Sequence, residues 1–263
     1  MQPEQVIQKV IEIAKDAGEF IRQQRKTFTP DKIEIKGLND LVSYVDKTAE
    51  EKIVAGLRTT VPGAGFITEE KTINKTGERY NWIIDPLDGT TNFIHGLPVY
   101  SVSIALQEFD ELILGVVYEI NQDECFYAWK GSPAYLNGHQ IKVSSSSTLD
   151  KSLLATGFPY YDFKKQPAYI EIFTELMRSC HGLRRLGSAA VDLAYTACGR
   201  FDGYYEYNLN AWDVAAGIVI VRQAGGEVVN FKGGDECLNT RELIATNGKI
   251  TKEMLGTIQK YFR

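Results

Sequence analysis

Val6, Ile7, Val10, Ile11, Ala14, Ala17 and Ile21 recur at helical spacing with charges on the opposite side, which predicts a long amphipathic helix from about Pro3 to Arg25. Ile33 and Ile35 alternate with Lys32, Glu34 and Lys36, the period of a short half-exposed strand. A second helix is predicted from about Asp46 to Arg58, closed by Pro62-Gly63. Gly65 to Thr68 reads as a brief strand. The apolar run Trp82 to Ile84 reads as the end of a buried strand, stopped by Pro86 and followed by a short helix opening at Gly89. Three β-rich runs, Val99 to Leu106, Leu112 to Ile120 and Cys125 to Trp129, are joined by turn-like residues and read as antiparallel hairpins, with a further tight turn at Asn137-Gly138.

The rhythm then changes. A strand at Leu153 to Thr156, a helix around Tyr169 to Cys180, a strand at Leu183 to Leu186 and a small-residue helix from Ser188 to Cys198 alternate as in an α/β sandwich. Tyr204-Tyr205 leads into Glu206, and Trp212 to Val221 reads as a largely buried helix ended by Gly225-Gly226. Leu243 to Ala245 and a helix from Lys249 to Tyr261 complete the layer. Ser144 to Thr148 is the only low-complexity patch, so the boundary between two closely packed halves is placed there, at 1–145 and 146–263.

Candidate chemistry concentrates where apolar strands end. Asp85 and Asp88 emerge three residues apart on a turn, followed by Gly89, Thr90 and Thr91, whose backbone N–H groups suit an anion. Carboxylates beside an anion hole repel a phosphate unless cations lie between, which points to a metal-bridged phosphate site. Asp-Pro and Asp-Gly are also ordinary turn formers, and Asp88 serves equally as a plain N-cap. Glu69-Glu70 is a solvated pair on a loop, or a second carboxylate cluster brought to the first by strand pairing. Asp46 reads as a helix cap and Lys36 as an exposed strand residue. Asp213, in the first turn of an apolar helix, either complements the helix dipole or faces a metal.

Charge and cysteine content narrow the partners. With 29 Lys and Arg against 34 Asp and Glu, 29 − 34 gives a net charge of −5, without a basic stripe of the kind that binds nucleic acid. Charged residues interrupt the N-terminal apolar positions, and no apolar run is long enough to span a bilayer, so a soluble cytoplasmic protein is expected. The four cysteines are scattered without zinc-site spacing or disulfide density.

With these pieces assembled, the chain resembles the inositol monophosphatase family of magnesium-dependent, lithium-sensitive phosphomonoesterases. The resemblance runs over nearly the whole length and rests on Trp82-Ile83-Ile84-Asp85-Pro86-Leu87-Asp88-Gly89-Thr90-Thr91-Asn92-Phe93 and on Asn210-Ala211-Trp212-Asp213-Val214-Ala215-Ala216-Gly217. Glu69-Glu70, Lys36 to Asp46 and Gly187-Ser188-Ala189-Ala190 support it. It implies an α/β fold of alternating α-β-α-β-α layers and a homodimer. It also implies that Glu69, Asp85 and the Leu87 carbonyl hold one Mg²⁺, that Asp85, Asp88 and Asp213 hold a second, and that a weaker third ion sits near Glu69. Thr90 and Glu69 would orient and deprotonate the attacking water, supported by Lys36 and Asp46. The Gly89 and Thr90 N–H groups would bind phosphate, while Glu206, the Ala189 backbone and Asp88 would contact substrate hydroxyls. Li⁺ and Ca²⁺ are the implied inhibitors.

The expected activity is therefore hydrolysis of myo-inositol monophosphates by metal-activated water, without a covalent phosphoenzyme. Fructose 1,6-bisphosphate, adenosine bisphosphate and histidinol phosphate are alternative substrates, and a protein-binding regulator on the same fold is the alternative of a different class. Thr91-Asn92-Phe93 resembles the inositol phosphatases more than the adenosine-bisphosphate branch. Two departures bear on substrate: the loop between Glu70 and Trp82 is shorter than in the animal enzymes, and Leu209-Asn210-Ala211 replaces a His- and Cys-bearing segment.

Overall fold

The protein is described from a computed structural model covering residues 2–29, 33–37, 40–73, 75–159 and 163–262, with backbone alone for 33–37 and 40–42. A 3₁₀ turn at Pro3–Gln5 leads into α1 (Ile7–Arg25), close to the predicted helix. The hairpin β1 (Ile33–Gly37) and β2 (Asp40–Ser43) precedes α2 (Tyr44–Leu57). There follow β3 (Gly65–Thr68), β4 (Tyr80–Asp88) and α3 (Thr90–His95). Then come β5 (Ser101–Glu108), β6 (Glu111–Glu119), β7 (Glu124–Trp129), β8 (Ala134–Leu136) and β9 (His139–Ile141).

The remaining elements are β10 (Leu153–Thr156), α4 (Gln166–Ser179), β11 (Gly182–Arg184), α5 (Ala189–Ala197) and β12 (Gly203–Tyr207). The chain closes with α6 (Ala211–Gln223), β13 (Glu227–Val229), β14 (Glu242–Thr246) and α7 (Thr251–Tyr261). Strands β3 to β9 form one sheet in sequence order, and the second sheet runs β11-β10-β12-β14-β13.

The strand period of two sorts the side chains into three cores, and these define five layers. On β4, Trp82 and Ile84 face α1 and α2, whereas Ile83 faces the other way. On that second side small residues line the large sheet, and α5 and α6 fill the space between the sheets. The far face of the second sheet is covered by α4 and α7 around Tyr169, Tyr205, Ile244 and Met254. The order is therefore α-β-α-β-α, as the resemblance implies.

Pro86 does not stop the strand. β4 continues through it to Asp88, and its register against β5 shifts between Asp85, opposite Ser103, and Asp88, opposite Ser101. Proline is tolerated in a strand at such a bulge, where no ladder N–H is required. The extra residue matters for chemistry. Side chains three apart on a regular strand point to opposite faces, whereas one inserted residue brings Asp85 and Asp88 to the same side.

β6 and α6 approach each other closely. A Cβ on Gly115 would stand 2.4 Å from the Ala216 carbonyl oxygen and 2.9 Å from its Cα, so only glycine admits the helix backbone there. Gly115→Ala is expected to cost about 1–3 kcal/mol in urea unfolding through overpacking; a variant as stable as the native chain would show that the layers can separate freely.

Candidate active site

The ends of β3 and β4, together with the first turns of α3, α5 and α6, meet around a cavity of about 440 Å³. Glu69, Asp85, Leu87, Asp88, Gly89, Thr90, Ala189, Glu206 and Asp213 all line it, which gathers the predicted site residues from both sheets. β3 pairs in parallel with β4, and the Glu69 N–H donates to the Ile84 carbonyl at 3.3 Å, so strand pairing does unite the two carboxylate clusters. Lys36 belongs to β1, and its side chain lies outside the described residues. A larger open depression of about 730 Å³, bordered by Asp150, Glu175, Lys252 and Glu253, contains none of these groups.

Each acid is held by local structure. The Leu87 N–H donates to Asp85 Oδ1 at 3.0 Å. Asp88 Oδ2 accepts from Ser188 Oγ at 2.6 Å and from the Ala190 N–H at 2.7 Å, tying the end of β4 to the start of α5. Asn92 reinforces that seam by donating to the Val99 and Leu186 carbonyls at 2.7 and 2.8 Å. Asp213 sits at the third position of α6 in a capping box, with Oδ2 accepting from the Asn210 N–H at 2.6 Å. Dipole complementation and a place in the cavity are both realised by this one aspartate.

Asp46 also has two roles. Its Oδ2 accepts from the Ser43 N–H and hydroxyl at 2.9 and 2.7 Å, closing the capping box of α2. Its Oδ1 lies 2.8 Å from the Thr90 hydroxyl, which is also 2.9 Å from the Leu87 carbonyl. One hydroxyl proton serves one of these acceptors at a time, so Asp46 sets which lone pair Thr90 presents to the cavity. Glu206 Oε2 accepts from the Tyr204 hydroxyl at 2.6 Å. A Cβ on Gly157 would fall 1.9–2.1 Å from the Glu206 carboxyl group, so this glycine makes room for it.

Several contributors lie outside the residues that the sequence motifs mark. Glu50 is fully buried and accepts from the Thr68 hydroxyl, the Glu70 and Thr72 N–H groups and the Thr72 hydroxyl at 2.7–2.8 Å. It clamps the loop that carries Glu69. A glutamate one turn after Asp46, on the apolar side of α2, was the available signal. Ser188, part of the supporting block Gly187-Ser188-Ala189-Ala190, lines the cavity, as do Arg185, Asp192 and Phe158, which no sequence motif marks.

The electrostatics follow from crowding. Burial, then Asp213 and Glu70, push the Glu69 carboxyl well up; burial, then Glu69, Asp88 and Asp213, do the same to Asp85. Burial raises Asp88 to about 6 even though Ser188 and the α5 amides oppose it. Burial with Asp88 nearby raises Asp213 to about 7, and burial raises Glu206 to about 8. Glu69 and Asp85 interact directly, each acting on the other's carboxyl group. Among the described residues no three acids are already drawn together as in a closed metal site. The donor set nevertheless fits a hard divalent cation: it is all oxygen, desolvated and mutually repulsive.

The whole chain from residue 2 to residue 262 matches the model of the inositol monophosphatase family. The chain belongs to that family. It is 42% identical over 252 residues, 95% of this chain and 94% of the relative, to the Nus factor SuhB of Escherichia coli K12. Inositol-1-monophosphatase of Mesorhizobium japonicum is 36% identical over 252 residues, 95% of each chain. The crystal structure of the extragenic suppressor protein suhB from Bartonella henselae superposes with a TM-score of 0.91 at 36% identity, covering 97% of this chain and 98% of that one. The family supports a phosphatase for small phosphate substrates and is generally Mg²⁺-dependent. No helix among the described residues is long and apolar enough to cross a membrane.

Two measurements test this site. Unfolded carboxylates titrate near pH 4, so between about pH 4 and 8 the folded chain holds more protons than the unfolded one, and stability falls as pH rises. In chelator, the melting temperature is expected to drop from pH 6 to pH 8, and saturating Mg²⁺ to offset the loss; a metal-free protein more stable at pH 8 would contradict the crowding. Glu50→Gln should weaken Mg²⁺ binding in calorimetry by about 10- to 100-fold while the chain stays folded. Native affinity in that variant would show that the clamp does not position Glu69.

Proposed function

We propose that this protein is a Mg²⁺-dependent phosphomonoesterase acting on myo-inositol monophosphates by direct attack of water. The observation that carries the reading is the convergence of Glu69, Asp85 and Asp88 from the large sheet and Asp213 from α6 on one cavity that three helix N-termini also face. A phosphate there meets positive helix ends and, through cations, the acids.

Glu69, Asp85, Asp88, Asp213 and the Leu87 carbonyl would hold the ions. Bound Mg²⁺ supplies charge neutralisation on the phosphoryl group and lowers the pKa of a coordinated water. The Gly89 and Thr90 N–H groups receive phosphate oxygens at the start of α3. The Thr90 hydroxyl, oriented by Asp46, and Glu69 align the water and take up its proton. Asp88, Glu206 and the Ala189 backbone face the alcohol that departs. Lys36 belongs to this set by resemblance. The cytoplasmic location, the homodimer and inhibition by Li⁺ and Ca²⁺ are parts of the same reading.

A second reading is favoured by the 42% identity to a relative named a Nus factor: a protein-binding regulator on the same fold. The two are compatible, because the carboxylate set is intact and a partner surface need not include the cavity.

Phosphate release from inositol, sugar, nucleotide and amino-alcohol phosphates, with and without Mg²⁺, tests the catalytic reading. Release is expected to need Mg²⁺ and to favour inositol phosphate. Asp88→Asn and Asp213→Ala are each expected to lower kcat at least about 100-fold in folded protein; retained turnover would remove that residue from the ligand set. A catalytically silent Asp88→Asn chain that still restores a deletion phenotype would place the physiological role with the regulatory reading.

A further inference from the structure

One carboxyl group on the cavity wall has no part in the phosphate chemistry above. Asp192, in the first turns of α5, lines the cavity with Gly157, Arg185 and Glu206, although the residue is only 1% exposed. Its Oδ1 is buried and has no hydrogen-bond partner. Asp85, Asp88, Asp213 and Glu206 differ, since each accepts from a named donor. Its neighbours Ala189, Ala190, Leu193 and Ala194 on α5 pack into the central core. An unmet buried acceptor costs about 1–3 kcal/mol relative to a satisfied one, so a group on the cavity side that donates to it recovers what the fold gives up.

The neighbours define that group. Asp192 and Glu206 interact electrostatically, and Tyr204 already occupies one Glu206 oxygen. A second phosphate placed here would meet two acids against the single Arg185 guanidinium beside them, while a hydroxyl adds a donor without adding charge. Phe158 lines the same cavity and supplies apolar surface for the C–H face of a ring.

We propose that Asp192 is a specificity-determining residue, accepting a hydrogen bond from a hydroxyl of the departing polyol beside the hydroxyl that Glu206 receives. The proposal rests on the phosphatase reading for the position of the polyol. It gives a role to an acid that α5 buries among mostly apolar side chains.

The test compares the native chain, Asp192→Ala and Asp192→Asn on myo-inositol 1-phosphate and on p-nitrophenyl phosphate, whose departing group carries no polyol hydroxyls. Asp192→Ala should reduce the ratio of the two kcat/KM values about 10-fold, and Asp192→Asn, which keeps an acceptor oxygen, should recover most of the ratio. An equal fall on both substrates would mark Asp192 as merely structural. An unchanged ratio would mean that its oxygen meets only water, and either result overturns the proposal. If the native chain releases no phosphate from any substrate, the phosphatase reading fails by itself. Saturation-transfer NMR with myo-inositol then decides the contact: transfer lost in Asp192→Ala supports it, and transfer equal in the two chains or absent from both overturns it.

Discussion

Everything at this site depends on keeping several carboxylates in one place. Glu69, Asp85, Asp88 and Asp213 repel one another in a desolvated cavity, and each is pushed toward its neutral form. The fold offsets that cost with aligned backbone. Asp88 receives an amide from the start of α5, Asp213 caps α6, and Asp85 receives the Leu87 N–H. The remaining repulsion is what a hard cation removes. Affinity for metal and strain in its absence are thus two aspects of one arrangement.

The layered architecture serves this arrangement. The large sheet meets the helix layer at the β4 bulge and the α5 N-terminus, where Asp88 bonds Ser188 and Asn92 of α3 bonds the Leu186 carbonyl just before α5. Small residues on the inner face of the large sheet let α6 approach closely, which brings Asp213 to the end of β4. Core packing and site geometry are coupled through these contacts, so a change at Gly115 acts on the acids without touching them.

Much of this was legible along the chain because it is local. Periodicity marked α1, α2, α4 and α6, the hairpins from β5 to β7, and the strands that deliver Glu69 and Asp85. β2 and β13 escaped because three- and four-residue edge segments carry too few alternations to register. Pro86 misled for a physical reason: a bulge removes the requirement for its missing N–H, and nothing nearby in the sequence announces a bulge. Glu50 and Asp192 look like ordinary helical acids, and only tertiary packing shows one holding a loop and the other facing a cavity. The Leu209-Asn210-Ala211 departure has a definite outcome as well: Leu209 is buried, and Asn210 becomes the cap of α6 that positions Asp213.

The central claim is that the four acids form a divalent-cation site, and anomalous scattering from crystals soaked in Mn²⁺, a stand-in for Mg²⁺, tests it most directly. Anomalous peaks between Glu69, Asp85, Asp88 and Asp213, with the Leu87 carbonyl among the ligands, are the predicted result. A cavity without a peak at saturating Mn²⁺, or peaks confined to other acids of the surface, would contradict it.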